Sequence, residues 1–96
     1  MKVANAVVWI LLGAAESGEI QAEPLERRVE GPAQATEISP GAETLRCVRF
    51  LASLLRKQSG GAEVLAGVGK AVELNLQVNY GIHLPRGAAL IAGWLA

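Results

Sequence analysis

Residues 73–80, ELNLQVNY, decide the fold class because their pattern fits two secondary structures. Their apolar and polar residues alternate strictly, which is typical of a half-buried strand. When the segment is extended back to Ala62, its apolar residues instead share one broad arc of a helix. That arc comprises Val64, Leu65, Val68, Ala71, Val72, Leu74, Leu76 and Val78, and the opposite face comprises Glu63, Lys70, Glu73 and Gln77. A helix here predicts an all-helical bundle, whereas a strand predicts an α+β fold.

Glycines within and after this segment bear on the choice. Gly81 is placed where many helices end in a left-handed residue, and Ile82 supplies the apolar residue that often follows. Gly67 and Gly69 oppose a helix, since a glycine in a helix interior costs about 1 kcal/mol relative to alanine. We favour the helix and keep the strand as the alternative.

Residues 44–57, TLRCVRFLASLLRK, predict the clearest helix of the chain. Ser39 suits its N-cap, Pro40 its first position and Glu43 the positive end of its dipole. Its apolar face gathers Leu45, Val48, Leu51, Ala52 and Leu55, and is widened beyond half of the circumference by Cys47, Phe50 and Leu54. One neighbouring helix cannot cover such a face, so we expect packing on more than one side.

The polar residues of this helix form one stripe about 100° wide. The stripe is basic and consists of Arg46, Arg49, Ser53, Arg56 and Lys57. A basic stripe beside an apolar face is the best candidate for binding, either to an acidic protein surface or to the chain's own acidic segment.

The N-terminal residues 1–15 are almost entirely apolar, with Lys2 as their one charged side chain. A helix of this kind is expected to be buried on all sides. The β-branched and aromatic residues of VVWILL keep a strand near residues 6–12 as an alternative. A helix over this run spans roughly 20 Å, short of a bilayer core of about 30 Å, which argues against a membrane insert. A single Lys is a weak charged start for a secretory signal, so we favour a core helix over both.

The rest of the chain is a connector and a short last helix. Residues 16–41 are rich in Glu, Pro and Gly, and within them EPLERRVE has room for one or two helical turns. Pro85 suits the start of a last helix through RGAALIAGWLA, whose small residues permit close packing.

These elements predict one small domain that is mostly α, a bundle of three to four helices with a Pro/Gly/Glu-rich connector. Along residues 1–96 the expected parts are an apolar helix at 1–15, the acidic connector at 16–41 and a helical core at 42–96. The alternative is an α+β fold with strands near 6–12 and 73–80.

Charge is divided unevenly along a chain whose net charge is zero. Residues 16–43 hold seven Glu against two Arg, whereas residues 44–96 hold six Lys and Arg against two Glu. Such halves can neutralise each other within the fold or between two copies.

Groups that carry chemistry are scarce. The chain has one Cys, Cys47, and one His, His83. A single Cys cannot form an internal disulfide, which fits a reducing compartment, and on the apolar side of a helix it is expected to act as a small hydrophobe. Ligand spacing, a phosphate loop and an oriented nucleophile are all missing from the sequence, so we predict no catalytic residues, no metal site and no cofactor.

Three sets of residues are predicted to make contacts with a partner. The basic set is Arg46, Arg49, Arg56 and Lys57, and the apolar set is Trp9, Phe50 and Trp94. Asn75 and Asn79 form a conditional set: in a helix they lie one turn apart within the apolar arc, where buried Asn residues fix the register between helices. In a strand they face solvent.

Apolar residues make up 51% of the sequence, more than so short a chain can readily hide. We therefore expect a small non-enzymatic helical interaction protein that self-associates or docks on a larger protein, with a homo-oligomer favoured and the cytoplasm as its compartment. Much Arg, Ala and Gly suits a bacterial or phage accessory or regulatory factor. The alternatives are a peripheral membrane-associated protein and a helical nucleic-acid-binding regulator, but zero net charge and few aromatic residues argue against nucleic acid.

Overall fold

The structure, a computed structural model, describes residues 2–20, 23–24 and 39–96. The helices in these ranges are α1 (Lys2–Glu16), α2 (Ala42–Arg56), α3 (Gly61–Tyr80) and α4 (Gly87–Leu95). Two short strands, β1 (Glu23–Pro24) and β2 (Ile82–His83), pair antiparallel. The prediction of a small, mostly α bundle is confirmed. Most of the predicted acidic connector, including the larger part of EPLERRVE, lies outside the described residues.

Helix α3 resolves the ambiguity of residues 73–80. It runs for 20 residues and ends at Gly81, whose φ of 65° is left-handed. The Gly81 N–H donates to the Leu76 carbonyl, so this glycine closes the helix as predicted. The strand alternatives for residues 73–80 and 6–12 are both wrong, since each segment continues a longer helix.

Helix α1 buries one side only, so the expectation of burial on all sides is wrong. Val7 and Leu11 are fully buried where α1 packs against α2 and α3. The opposite side, which carries Asn5, Trp9 and Gly13, is exposed. The apolar composition of this helix therefore exceeds what its neighbours cover.

Helix α2 begins two residues later than Ser39 and Pro40 predict, with Gly41 as its N-cap. Gly41 has no side chain with which to cap the helix. Instead, Glu19 Oε1 accepts hydrogen bonds from the Gly41 N–H and the Thr44 hydroxyl, each at 2.9 Å. A carboxylate is favoured at this positive end of the helix dipole. The predicted cap is wrong because a residue from just beyond α1 takes its place.

The described core is apolar throughout, with no buried polar or charged residue. Its largest fully buried side chains are Leu11, Leu55, Leu76, Ile91, Leu95, Val7, Val48 and Val72. Helix α4 packs against α3 and α2. At the α3–α4 contact Gly69 is buried, and a Cβ there would lie 3.5 Å from the Ala88 carbonyl oxygen, which is ordinary van der Waals contact.

Candidate interaction surfaces

Two arginines of the basic stripe form hydrogen bonds within the fold. Arg49 Nε donates to the Trp94 carbonyl at 3.0 Å, and Arg56 Nη2 donates to the Leu95 carbonyl at 2.8 Å. Both carbonyls lie at the end of α4, where carbonyls lack partners within the helix and the dipole is negative. The two guanidinium groups therefore hold the end of α4 against α2.

The other two cations of the stripe are also exposed: Arg46 lies within α2 and Lys57 is its C-cap. Within the described residues the salt bridge is between Lys70 and Glu73, with Nζ and Oε1 3.3 Å apart. Because both side chains are exposed, the charges of Arg46 and Lys57 are accessible at the surface.

Replacing Arg49 with Met is expected to lower the free energy of unfolding by about 1 kcal/mol, because the Trp94 carbonyl loses a charged donor. Methionine keeps a long apolar stem in place of the arginine stem. Arg46→Met is the matched control, and we expect it to change the free energy by less than about 0.5 kcal/mol. Urea denaturation followed by circular dichroism measures both variants, and equal effects would contradict the assigned role of Arg49.

The apolar contact candidates divide between surface and core. Trp9 is 72% exposed and Phe50 is 62% exposed. Trp94 is only 4% exposed, because it lies on the inward side of α4 with Ile91, so its prediction as a partner contact is wrong. Cys47 is exposed with a free thiol, and its expected role as a packed small hydrophobe is also wrong. The apolar face of α2 is wider than the neighbouring helices cover.

Helix α3 carries an exposed apolar row, Gly67, Ala71, Leu74 and Val78, which we call the α3 row. Its two large members, Leu74 and Val78, are 59% and 71% exposed. The sequence pattern placed all but Gly67 in the core-facing arc, and for the α3 row that prediction is wrong. The inward side of α3 is formed instead by Leu65, Val68, Val72 and Leu76.

The signal for the α3 row lies in its spacing. Its members recur after four, three and four residues, as the a and d positions of a coiled-coil heptad do. A helix with one such row toward the core and a second row outside it carries two apolar surfaces. The single broad arc seen in the sequence is therefore two adjacent rows.

Asn75 and Asn79 flank the α3 row. Asn79 Nδ2 donates to Asn75 Oδ1 at 2.9 Å, and Asn75 Nδ2 donates to the Ala71 carbonyl at 3.0 Å. Asn75 is half-buried and Asn79 is exposed. Within this chain they are therefore not the buried register pair that the broad arc implied.

The single Cys and the single His lie on different elements. His83 is on β2, with its Nδ1 3.4 Å from Gln77 Nε2, while Cys47 is on α2. Within residues 2–20, 23–24 and 39–96, no three His, Cys, Asp or Glu side chains form a group that could hold a metal ion. None of the described helices has both the length and the apolar character needed to cross a membrane.

No family model, curated protein or solved structure matches this chain. Two surfaces of different chemistry stand out in its described part. The α2 face combines Phe50 with the exposed cations Arg46 and Lys57. The α3 row is apolar; beside it on the same helix Lys70 and Glu73 form a salt bridge, and Glu63 is exposed one turn before Gly67.

Proposed function

We propose that this chain is a small, non-enzymatic interaction protein that self-associates through its helices. The observation that carries the proposal is the α3 row, which lies outside a core that is already closed and apolar. Isolated exposed apolar side chains are ordinary on soluble proteins. A row at heptad spacing is different, because a second helix can cover all of its members at once.

The α2 face supports a second contact in the same proposal. Phe50 lies on it with the cations Arg46 and Lys57, and an acidic patch on a larger protein would complement both charges. Aromatic and Arg side chains are also the types that dominate binding energy in interfaces. In this proposal the α3 row joins copies of the chain and the α2 face docks them.

The free thiol of Cys47 is exposed, which supports placing the protein in a reducing compartment such as the cytoplasm. An exposed thiol in an oxidising compartment forms mixed disulfides readily. We further propose, from the composition, a bacterial or phage accessory or regulatory factor.

Light scattering after size exclusion tests self-association directly. Stable complexes bury about 1,000 Å² or more of surface, and a contact made by four apolar positions is smaller than that. We therefore expect weak, concentration-dependent association. Between about 5 and 500 μM the mean mass is expected to rise from the 10.0 kDa monomer toward twice that value. A mass that stays at the monomer value throughout this range would show that the chain does not self-associate.

A further inference from the structure

We infer that the partner of the α3 row is the same row of a second copy, lying antiparallel, so that each small residue of one copy meets a large residue of the other. This inference rests on the proposed self-association and specifies its surface, direction and register.

The sizes of the four residues carry the inference. The row reads small, small, large, large from Gly67 to Val78. Antiparallel pairing about a centre between residues 72 and 73 places Gly67 opposite Val78 and Ala71 opposite Leu74. Those are the layers that antiparallel coiled coils form, with each a position facing a d position. A two-fold interface requires a surface that is complementary to itself, and this row satisfies that requirement.

Parallel pairing gives a poor fit for the same residues. It sets Gly67 against Gly67 and Ala71 against Ala71 at one end, and Val78 against Val78 at the other. Large residues then hold the helices apart at one end while small residues leave voids at the other, and unfilled space forfeits contact energy. The order of sizes therefore selects the direction of the second copy.

Charge selects the α3 row over the α2 face for self-association. Two copies that met through the α2 face would bring Arg46 and Lys57 of both copies together, and like charges oppose such a contact. On α3, Lys70 is paired with Glu73 of its own helix. In the antiparallel register, the residue of the second copy that lies nearest to Lys70 on the same edge of the row is the neutral Gln77.

The polar residues at the edge of the row are compatible with being covered. Asn75 both donates to the Ala71 carbonyl and accepts from Asn79, so its amide has partners before any association takes place. Polar groups that are already hydrogen-bonded cost less to remove from water than unpaired ones. The second copy therefore does not have to supply their hydrogen bonds.

Charge insertion at the centre of the row is the first test. In sedimentation velocity runs over the same concentration range, Leu74→Glu is expected to raise the dimer Kd about 30-fold or more, because Leu74 lies in two layers of the interface. Phe50→Glu and Trp9→Glu replace side chains of similar exposure on other helices, and are expected to keep the Kd within about threefold of wild type. Circular dichroism confirms that each variant is folded.

The outcomes separate the inference from the proposed function. A dimer that survives Leu74→Glu but dissociates in Phe50→Glu or Trp9→Glu overturns the α3 row as the interface and leaves self-association intact. A wild-type chain that is monomeric throughout overturns both.

Disulfide trapping tests direction and register. In a Cys47→Ser background, Gly67→Cys and Val78→Cys chains are mixed, oxidised with glutathione and resolved by mass spectrometry. The antiparallel register brings position 67 of one copy opposite position 78 of the other, whereas two copies of position 67 lie about 16 Å apart along the axis, beyond disulfide reach. Mixed 67–78 disulfides are expected to dominate. Homodisulfides of each chain in place of mixed ones would overturn the antiparallel arrangement.

Discussion

Leu76→Ala is expected to lower the free energy of unfolding by about 2–5 kcal/mol, whereas Leu74→Ala lowers it by about 0.5 kcal/mol or less. The two leucines belong to the same helix and lie two residues apart. Leu76 is fully buried, so truncation leaves a cavity in the core, while Leu74 is 59% exposed and its truncation leaves none. For a domain of this size each kcal/mol corresponds to about 4–8 °C in melting temperature.

Thermal unfolding at about 1 μM, where weak dimers dissociate, compares the two variants without a contribution from association. The comparison also tests the secondary structure of residues 73–80. A strand would point Leu74 and Leu76 to the same face and give them similar effects. Similar losses for the two variants would therefore contradict α3 as a helix.

The helical state of residues 73–80 was predictable because two local signals agreed. The apolar pattern continued back for more than two turns, and Gly81 suited the left-handed end of a helix. The low helix propensity of Gly67 and Gly69 opposes the helix, but both glycines lie within it. Gly69 is buried against α4, where a Cβ would be in ordinary van der Waals contact with the Ala88 carbonyl oxygen, and Gly67 faces open space.

The side of α3 that faces the core was not predictable from its pattern. Its apolar residues spread over a wide arc, and periodicity alone cannot say which part of that arc a neighbour covers. In the fold, α3 packs against α1, α2 and α4 so that Val72 and Leu76 are fully buried, whereas Leu74 and Val78 stay outside. Only the tertiary arrangement separates the two rows.

The tertiary contacts of the charged residues were likewise not predictable from local sequence. Helix propensity and spacing correctly placed Arg49 and Arg56 on one stripe of α2, but their hydrogen bonds go to the end of α4, far along the chain. Likewise, the local rule for N-caps favoured Ser39, yet Glu19 supplies the acceptor for the start of α2. Caps made by distant residues depend on how helices pack, and that information is not local in the sequence.

Gly61→Ala is expected to cost about 3 kcal/mol or more and to lower the melting temperature by on the order of 15 °C. Gly61 is buried at the start of α3, where the chain turns back from α2. A Cβ there would lie 1.7 Å from the Leu55 carbonyl oxygen, which is backbone and cannot rotate away. That oxygen also accepts the Gln58 N–H at 3.0 Å, so relieving the clash disturbs the turn between the helices and the fully buried Leu55 side chain.

Alanine substitutions at two other glycines separate the effect of the steric clash at Gly61 from effects of backbone conformation. Gly13→Ala lies within α1 where a Cβ meets no atom within 4 Å, and it is expected to raise the free energy of unfolding by up to about 1 kcal/mol. Gly60→Ala also meets open space, but its φ of 71° is left-handed, so we expect a loss of about 1–2 kcal/mol from backbone strain alone. Urea denaturation should therefore rank the variants Gly13, Gly60, Gly61 in order of decreasing stability. If Gly61→Ala is no less stable than Gly60→Ala, the close approach of α3 to the Leu55 carbonyl is not a feature of the folded protein, because backbone conformation would then account for the whole series.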